Sequence, residues 1–240
     1  MNRNHVMLGL AAIAAFGATA CNAELSIGEE GSGLAETVSF DVESFDELDV
    51  SDSFDVEVTI GDGPTTVEVT VDDNLVDDLD VERDGDRLEI GWDRGRRAPE
   101  VSPTAVITVS RLEALDASGA AQVSVQGLDA ARFSVDTSGA AGVDLAGTIE
   151  QLTVDGSGAS RVRATAAVDE ASFDLSGATS ADMTGAEVGT ADVDLSGGSR
   201  IEFGPVGRVD GQLSGGSVLS VPDGVDASVR TSGGARIERS

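Results

Sequence analysis

The sequence contains no lysine and no tyrosine, and it carries one histidine, one cysteine and one tryptophan in 240 residues. Each scarcity removes a class of chemistry. Without lysine there is no Schiff-base nucleophile, and no Gly-rich phosphate loop of the Walker type, whose lysine reaches the β- and γ-phosphates. The only histidine, His5, lies in a segment that reads as an export signal. The mature chain is therefore expected to lack Ser-His and Cys-His nucleophilic systems, histidine zinc ligands and the commonest general base. The single cysteine, Cys21, forbids a disulfide within the chain. With no tyrosine, with Trp92 alone and with seven phenylalanines, few side chains remain to stack on a sugar ring. Positive charge is scarce too. Against 15 arginines stand 44 acidic residues, a formal net charge of -29, and such a field repels nucleic acid and anionic membrane surfaces.

The N-terminus shows how the chain leaves the cytoplasm. Arg3 sits in a short polar head, an apolar stretch runs from Val6 to about Ala18, and small residues precede Cys21. That stretch is too short to span a bilayer, which takes about 20 residues, and it has the form of a cleaved signal. Ala18 to Cys21, "ATAC", resembles the bacterial lipobox, in which the cysteine is lipidated and becomes the mature N-terminus. The expected organisation is a signal peptide over 1–20, an acidic tether over 21–36, an N-terminal β region over 37–110 and repeats over 111–240.

The repeats are the strongest pattern in the chain. A Ser-Gly pair recurs at Ser118-Gly119, Ser138-Gly139, Ser157-Gly158, Ser176-Gly177, Ser196-Gly197, Ser214-Gly215 and Ser232-Gly233, at intervals of 18 to 20 residues. Residues on both sides alternate with the period of a strand that buries one face. Before the serines stand Phe133 and Val135, Leu152 and Val154, Phe173 and Leu175, Val193 and Leu195; after them come Val123 and Val125, Val143 and Leu145, Ile201 and Phe203. A third apolar anchor falls in each remaining connection, at Leu128, Ile149, Val168, Val188, Val206 and Val225. About 19 residues split over three short faces make one coil of a parallel β-helix, in which equivalent positions stack about 4.8 Å apart. The fold class predicted is all-β, a solenoid of about seven coils that the N-terminal β region caps or extends. The Ser-Gly pairs are its corners, where glycine takes φ > 0 and a bulky side chain would strike the next coil.

Four features are candidates for binding. Two residues before the serines stand Asp116, Asp136, Asp155, Asp174 and Asp194, followed by Gln212 and Arg230. By the alternation these point outward, so the five aspartates form either a solvated acidic face or a row of weak cation sites, with Ca2+ the candidate ion. Asp72 to Asp80, "DDNLVDDLD", is the densest acidic run; it lacks the glycine and terminal glutamate of an EF-hand and reads as a solvated connection. Asp93 to Glu100, "DRGRRAPE", carries three arginines on an expected loop and reads as local charge balance, with a contact for an acidic partner as the alternative. Near the end, Arg230, Arg236 and Arg239 read as charges that block end-to-end stacking, with a contact to the acidic ladder as the competing view. Carboxylates and arginines are also the catalytic kit of glycan-active β-helices, but the coils lack the long inserted loops that build a cleft.

The stretches "FDELDVSDSFDVEVTIGDG", "VTVDDNLVDDLDVERDGDRLEI" and "RLEALDASGAAQVSV" resemble the head GIN-domain family of adhesin-like bacterial proteins, from about Val38 onward. The resemblance implies an exported β-helical protein, often a lipoprotein, with no catalytic residues to carry over. It does not extend to the C-terminal membrane barrel of an autotransporter. The expectation is a lipid-anchored, non-catalytic envelope module with an unidentified surface partner and no nucleic acid, the alternatives being a carboxylate-dependent glycan-active enzyme and a structural spacer.

Overall fold

The computed structural model describes residues 29–93 and 97–240. The period-two patterns form strands whose alternate residues are buried: in Arg161–Leu175 every second residue from Val162 to Val168, then Ala171, Phe173 and Leu175, faces the interior. Equivalent positions of successive coils pair in parallel. Val135 lies beside Val154, Val154 beside Phe173, Phe173 beside Val193. The interior is thus a stack of apolar rows, with Phe133 and Phe173 fully buried and Phe173 packed edge-on against Phe203 at 5.8 Å between ring centroids. Such an aromatic pair adds about 0.5–1.5 kcal/mol to its area term.

The seven Ser-Gly coils are all present. One detail of the third face differs from expectation. Leu128 pairs with Gly147, and it is Ala130 that pairs with Ile149, because the register shifts between Val125 and Leu128. Gly127, with φ 78°, sits in that bulge.

The N-terminal β region both extends and caps the solenoid. Glu47–Val50 pairs in parallel with Ala114–Ala117, and Asp55–Ile60 with the start of Gln122–Thr137, so residues 47–60 are an eighth coil stacked on the Ser118 coil. Arg87–Trp92 and Thr104–Val109 stack in parallel beyond it as the outermost layer. Antiparallel strands then close this end: Leu79–Asp84 covers Arg87–Trp92, and Thr66–Asp72 covers Thr104–Val109 and is itself covered by Ala35–Phe40. Trp92 is half-buried here, its ring 5.2 Å from Phe54.

Two expectations for this region need correction. Residues 29–36, assigned to the tether, belong to the fold: Glu29–Glu30 pairs with Arg97–Ala98, and Ala35 begins a sheet strand. The run from Asp72 to Asp80 is more than a solvated connection. Asp72 is fully buried and accepts hydrogen bonds from the backbone N–H groups of Gly33 at 2.7 Å, Glu100 at 3.0 Å and Val101 at 3.1 Å. Three such donors satisfy a charge that burial would otherwise make costly. Asp73–Asp78 forms a 3-10 helix that buries Leu75, and Asp78 holds Arg97 at 2.7 Å. The acidic run is therefore a clamp between the first described strand and the loop from Ala98 to Val101.

Candidate functional site: a stacked corner and its acidic row

The corner is the unit from which the surface is built. Gly119, Gly139, Gly158, Gly177, Gly197, Gly215 and Gly233 all have φ between 66° and 73°. A Cβ on Gly158 or Gly177 would lie 2.5 Å from the carbonyl oxygen of the corner glycine one coil earlier. That same carbonyl accepts a backbone bond from the residue after the glycine: Ala159 N–H donates to Gly139 O and Ala178 N–H to Gly158 O, each at 2.7 Å. Close stacking and the left-handed turn both demand glycine. The serine N–H groups bond in the same sense, Ser138 to Ala117 O and Ser157 to Thr137 O. Ser196 and Ser232 repeat the bond to Leu175 O and Leu213 O, and Ser214 to Leu195 O.

Inside each of the four corners from Ser157 to Ser214 lies a hydroxyl whose residue the sequence reading took as merely small. Ser160, Thr179, Ser199 and Ser217 are buried and donate to the carbonyls of Ser157, Ser176, Ser196 and Ser214 at 2.8–3.0 Å. They lock each turn from within. Their signal was available, as a hydroxyl residue three places after four successive corner serines.

The aspartates stand outside the same turn, in register: Asp116 beside Asp136, Asp136 beside Asp155, Asp155 beside Asp174, Asp174 beside Asp194. The row is longer than the five. Asp49 continues it beyond Asp116, and Glu89 continues it beyond Asp49. At the other end Gln212 follows Asp194 and donates to it at 3.0 Å, and Arg230 follows Gln212. Asp49 was legible: "LDVSDSF" repeats "LDASGAA" with Asp two residues before Ser51, as in the other corners. The glycine is replaced there by Asp52, whose φ is 62°. Its outer neighbour is a strand end and not another corner, and its carboxylate accepts the Trp92 N–H at 3.2 Å, so a side chain fits where the stacked corners allow none.

Arg87 braces the capped end of the row, 3.1 Å from Asp116, 3.4 Å from Asp49 and 3.3 Å from Glu47. Beyond it, Asp136, Asp155 and Asp174 run beside the corner serines along an open groove of about 500 Å³. Partial burial is the first cause that raises the carboxyl pKa of Asp49, Asp136 and Asp155; the charge of neighbouring aspartates adds to it, and Arg87 opposes it at Asp49 and Asp136. Carboxylates spaced along a line meet in pairs only. Among the described residues no three acidic, histidine or cysteine side chains converge as a metal cluster would require. Cys21 lies outside the described residues, as do Arg94 and Arg96 of the arginine loop. Arg97 is committed to Asp78.

Comparison with known proteins follows the fold. No curated protein matches the sequence. A crystal structure described as a putative adhesin from Bacteroides fragilis superposes with a TM-score of 0.81 at 18% identity, covering 89% of this chain and 100% of that one. Another putative adhesin, from Parabacteroides merdae, gives 0.75 at 14% identity, over 88% and 98%. A protein described as a putative lipid binding protein from Parabacteroides distasonis gives 0.68 at 18% identity, over 88% and 98%. These share the solenoid. The family model described as "Putative auto-transporter adhesin, head GIN domain" matches residues 44–222, from just before the eighth coil to the penultimate one, and the chain belongs to that family.

Proposed function

We propose that the protein is a lipid-anchored, non-catalytic adhesin-like module of the cell envelope, which holds a stiff acidic solenoid away from the membrane. The observation that carries the reading is the polarity of the solenoid. The described chain begins at the closed end, where Glu29–Glu30 pairs with Arg97–Ala98. A lipid on Cys21 would lie eight residues before Glu29, within about 28 Å of extended chain. The acidic row and the last coil would then face outward. The described relatives named as adhesins support a binding role, and the absence of lysine and of any histidine after His5 argues against a catalytic one. Calcium bridging neighbouring aspartates of the row is the cofactor reading that goes with it.

Fractionation of cells producing the parent and Cys21→Ser tests the anchor. The parent is expected in the membrane fraction and open to added protease, and the variant is expected to be released. A parent that fractionates as soluble overturns the reading. Incubation with acidic and neutral polysaccharides, with and without calcium, is expected to leave their size distribution unchanged; depolymerisation would establish an enzyme.

A further inference from the structure

The two ends of the solenoid differ. One is closed by antiparallel strands, whereas at the other Asp226–Thr231 and Arg236–Arg239 each pair only with the coil before them. Inward residues that are buried in earlier coils are here half-buried: Ala227, Val229, Ala235 and Ile237. Ser232 N–H donates inward to Leu213 O. Because donors and acceptors alternate in direction along a parallel strand, the N–H and C=O groups of Ala227 and Val229 point out of the stack, where no described strand meets them.

We propose that this edge joins a second copy of the chain, tail to tail, through antiparallel pairing of Asp226–Arg230 with itself about Ser228. The segment "DASVR" is self-complementary in that arrangement. Ala227 faces Val229 of the other copy as a hydrogen-bonded pair, using the outward groups, and both side chains stay on the buried face. Asp226 faces Arg230 of the other copy in the closer, non-hydrogen-bonded pairing. Neither forms an ion pair within the described residues, whereas Arg236 is held by Glu238 at 2.7 Å and Arg239 donates to Val225 O at 3.1 Å. Charge favours this end alone. Residues 223–239 hold three acidic residues and three arginines in a chain of net charge -29, so this is where two copies approach with least repulsion. The pairing is isologous and uses the same edge in both copies, so the contact is a twofold one that stops at two copies and does not build a filament.

The consequence for adhesion rests on the anchor reading above. The acidic face is nine strands deep, from Arg87–Trp92 to Asp226–Thr231, or about 38 Å at 4.8 Å per strand. A tail-to-tail pair would hold its two anchors at opposite ends, about 80 Å apart, and so join two envelopes.

Sedimentation of the purified full chain in mild detergent tests the contact without reference to the anchor. The parent is expected to show a concentration-dependent dimer at moderate salt. Asp226→Arg and Arg230→Asp each place two like-charge pairs across the axis and are expected to weaken it about tenfold or more. The double variant Asp226→Arg/Arg230→Asp recreates both opposed pairs and is expected to recover the parent affinity. A monomeric parent, stronger association in Arg230→Asp, or a double variant no better than the singles overturns the proposal. Clustering of vesicles bearing the lipidated chain reads the anchor separately: a chain that sediments as a dimer but does not cluster vesicles leaves the contact standing and removes its role between envelopes.

Discussion

The corner glycine is the residue on which the stack depends most directly. At Gly177 an alanine would meet two costs, a left-handed φ of 68° and a Cβ 2.5 Å from Gly158 O. The first costs about 1–2 kcal/mol. The second has no flexible side chain to move aside, since the obstacle is backbone. Gly177→Ala is expected to lower stability by about 3 kcal/mol or more, measured by denaturant unfolding. Gly198 is the control. It also sits in a corner, but its Cβ would lie 3.7 Å from Gly177 O, and other corners already carry alanine there, so Gly198→Ala should stay within about 0.5 kcal/mol. Equal losses would show that neither the left-handed φ nor the close stacking of one corner on the next sets the requirement. Asp52 obeys the same logic from the other side, being allowed a side chain where the layer outside it makes no corner.

At the level of the strand, adjacent residues have opposite fates. Leu175 is fully buried and Asp174 points to solvent. Leu175→Asp buries an unpaired carboxylate, a cost of several kcal/mol that a marginal domain does not survive. Asp174→Leu should leave cooperative melting intact, and near-equal effects of the two would place the strand in the other register. Period-two alternation made this element legible before any coordinates, as the repeat interval did the corners. What escaped were features that do not repeat. The eighth coil is separated from the Ser118 corner by the excursion that builds the cap, and its corner is spelled Ser51-Asp52, not Ser-Gly. The clamp at Asp72 depends on backbone N–H groups from residues 28 and 29 positions later and 39 earlier, which no local pattern encodes. Local acidity alone made that run look solvated.

The acidic row is an element in its own right, assembled from one residue per coil. At about 4.8 Å, neighbouring carboxylates repel by roughly 0.9 kcal/mol even at the dielectric of bulk water. The repulsion exists only when the coils are stacked, so the melting temperature should rise as salt shortens the Debye length from about 30 Å at 0.01 M to about 10 Å at 0.1 M. Burial first, and then the neighbouring aspartate, raise Asp136 and Asp155 in the folded state above the unfolded value of about 3.9. A carboxyl with a raised folded pKa binds its proton more tightly when folded. Its contribution is therefore fully present below the unfolded pKa and is lost as pH rises through the folded one. Relative to Asp155→Asn/Asp174→Asn, the parent should gain stability as pH falls through the raised values, and lose that gain at neutral pH. A divalent ion bridging neighbours would relieve the same strain. Melting in calcium against sodium at matched ionic strength decides this point: an excess in the parent that vanishes in the double variant places the ion on the row, and no excess leaves a solvated acidic face.

For the whole molecule the consequence of a solenoid is that length is separable from fold. Each coil touches only its two neighbours, so stability is a sum of coil terms and neighbour interfaces, and a coil can be removed without disturbing the rest. Deleting residues 157–175 joins Gly156 to Ser176 and removes one coil with its corner. The partners that then meet are already equivalent: Gly142, which pairs with Arg161, would pair with Ser180, as Arg161 now does, and Asp155 would pair with Asp194, as Asp174 now does. The cap at one end and the open edge at the other are untouched. The shortened chain is expected to melt cooperatively at a lower temperature and to keep its self-association, because the paired edge lies in the last coil and not along the stack. Deleting about half a coil should instead unfold the protein, since it would set strands of one face against the corners of the next. If the whole-coil deletion unfolds as completely as the half-coil deletion, the coils are not independent units, and the stability of this solenoid resides in contacts longer than nearest neighbour.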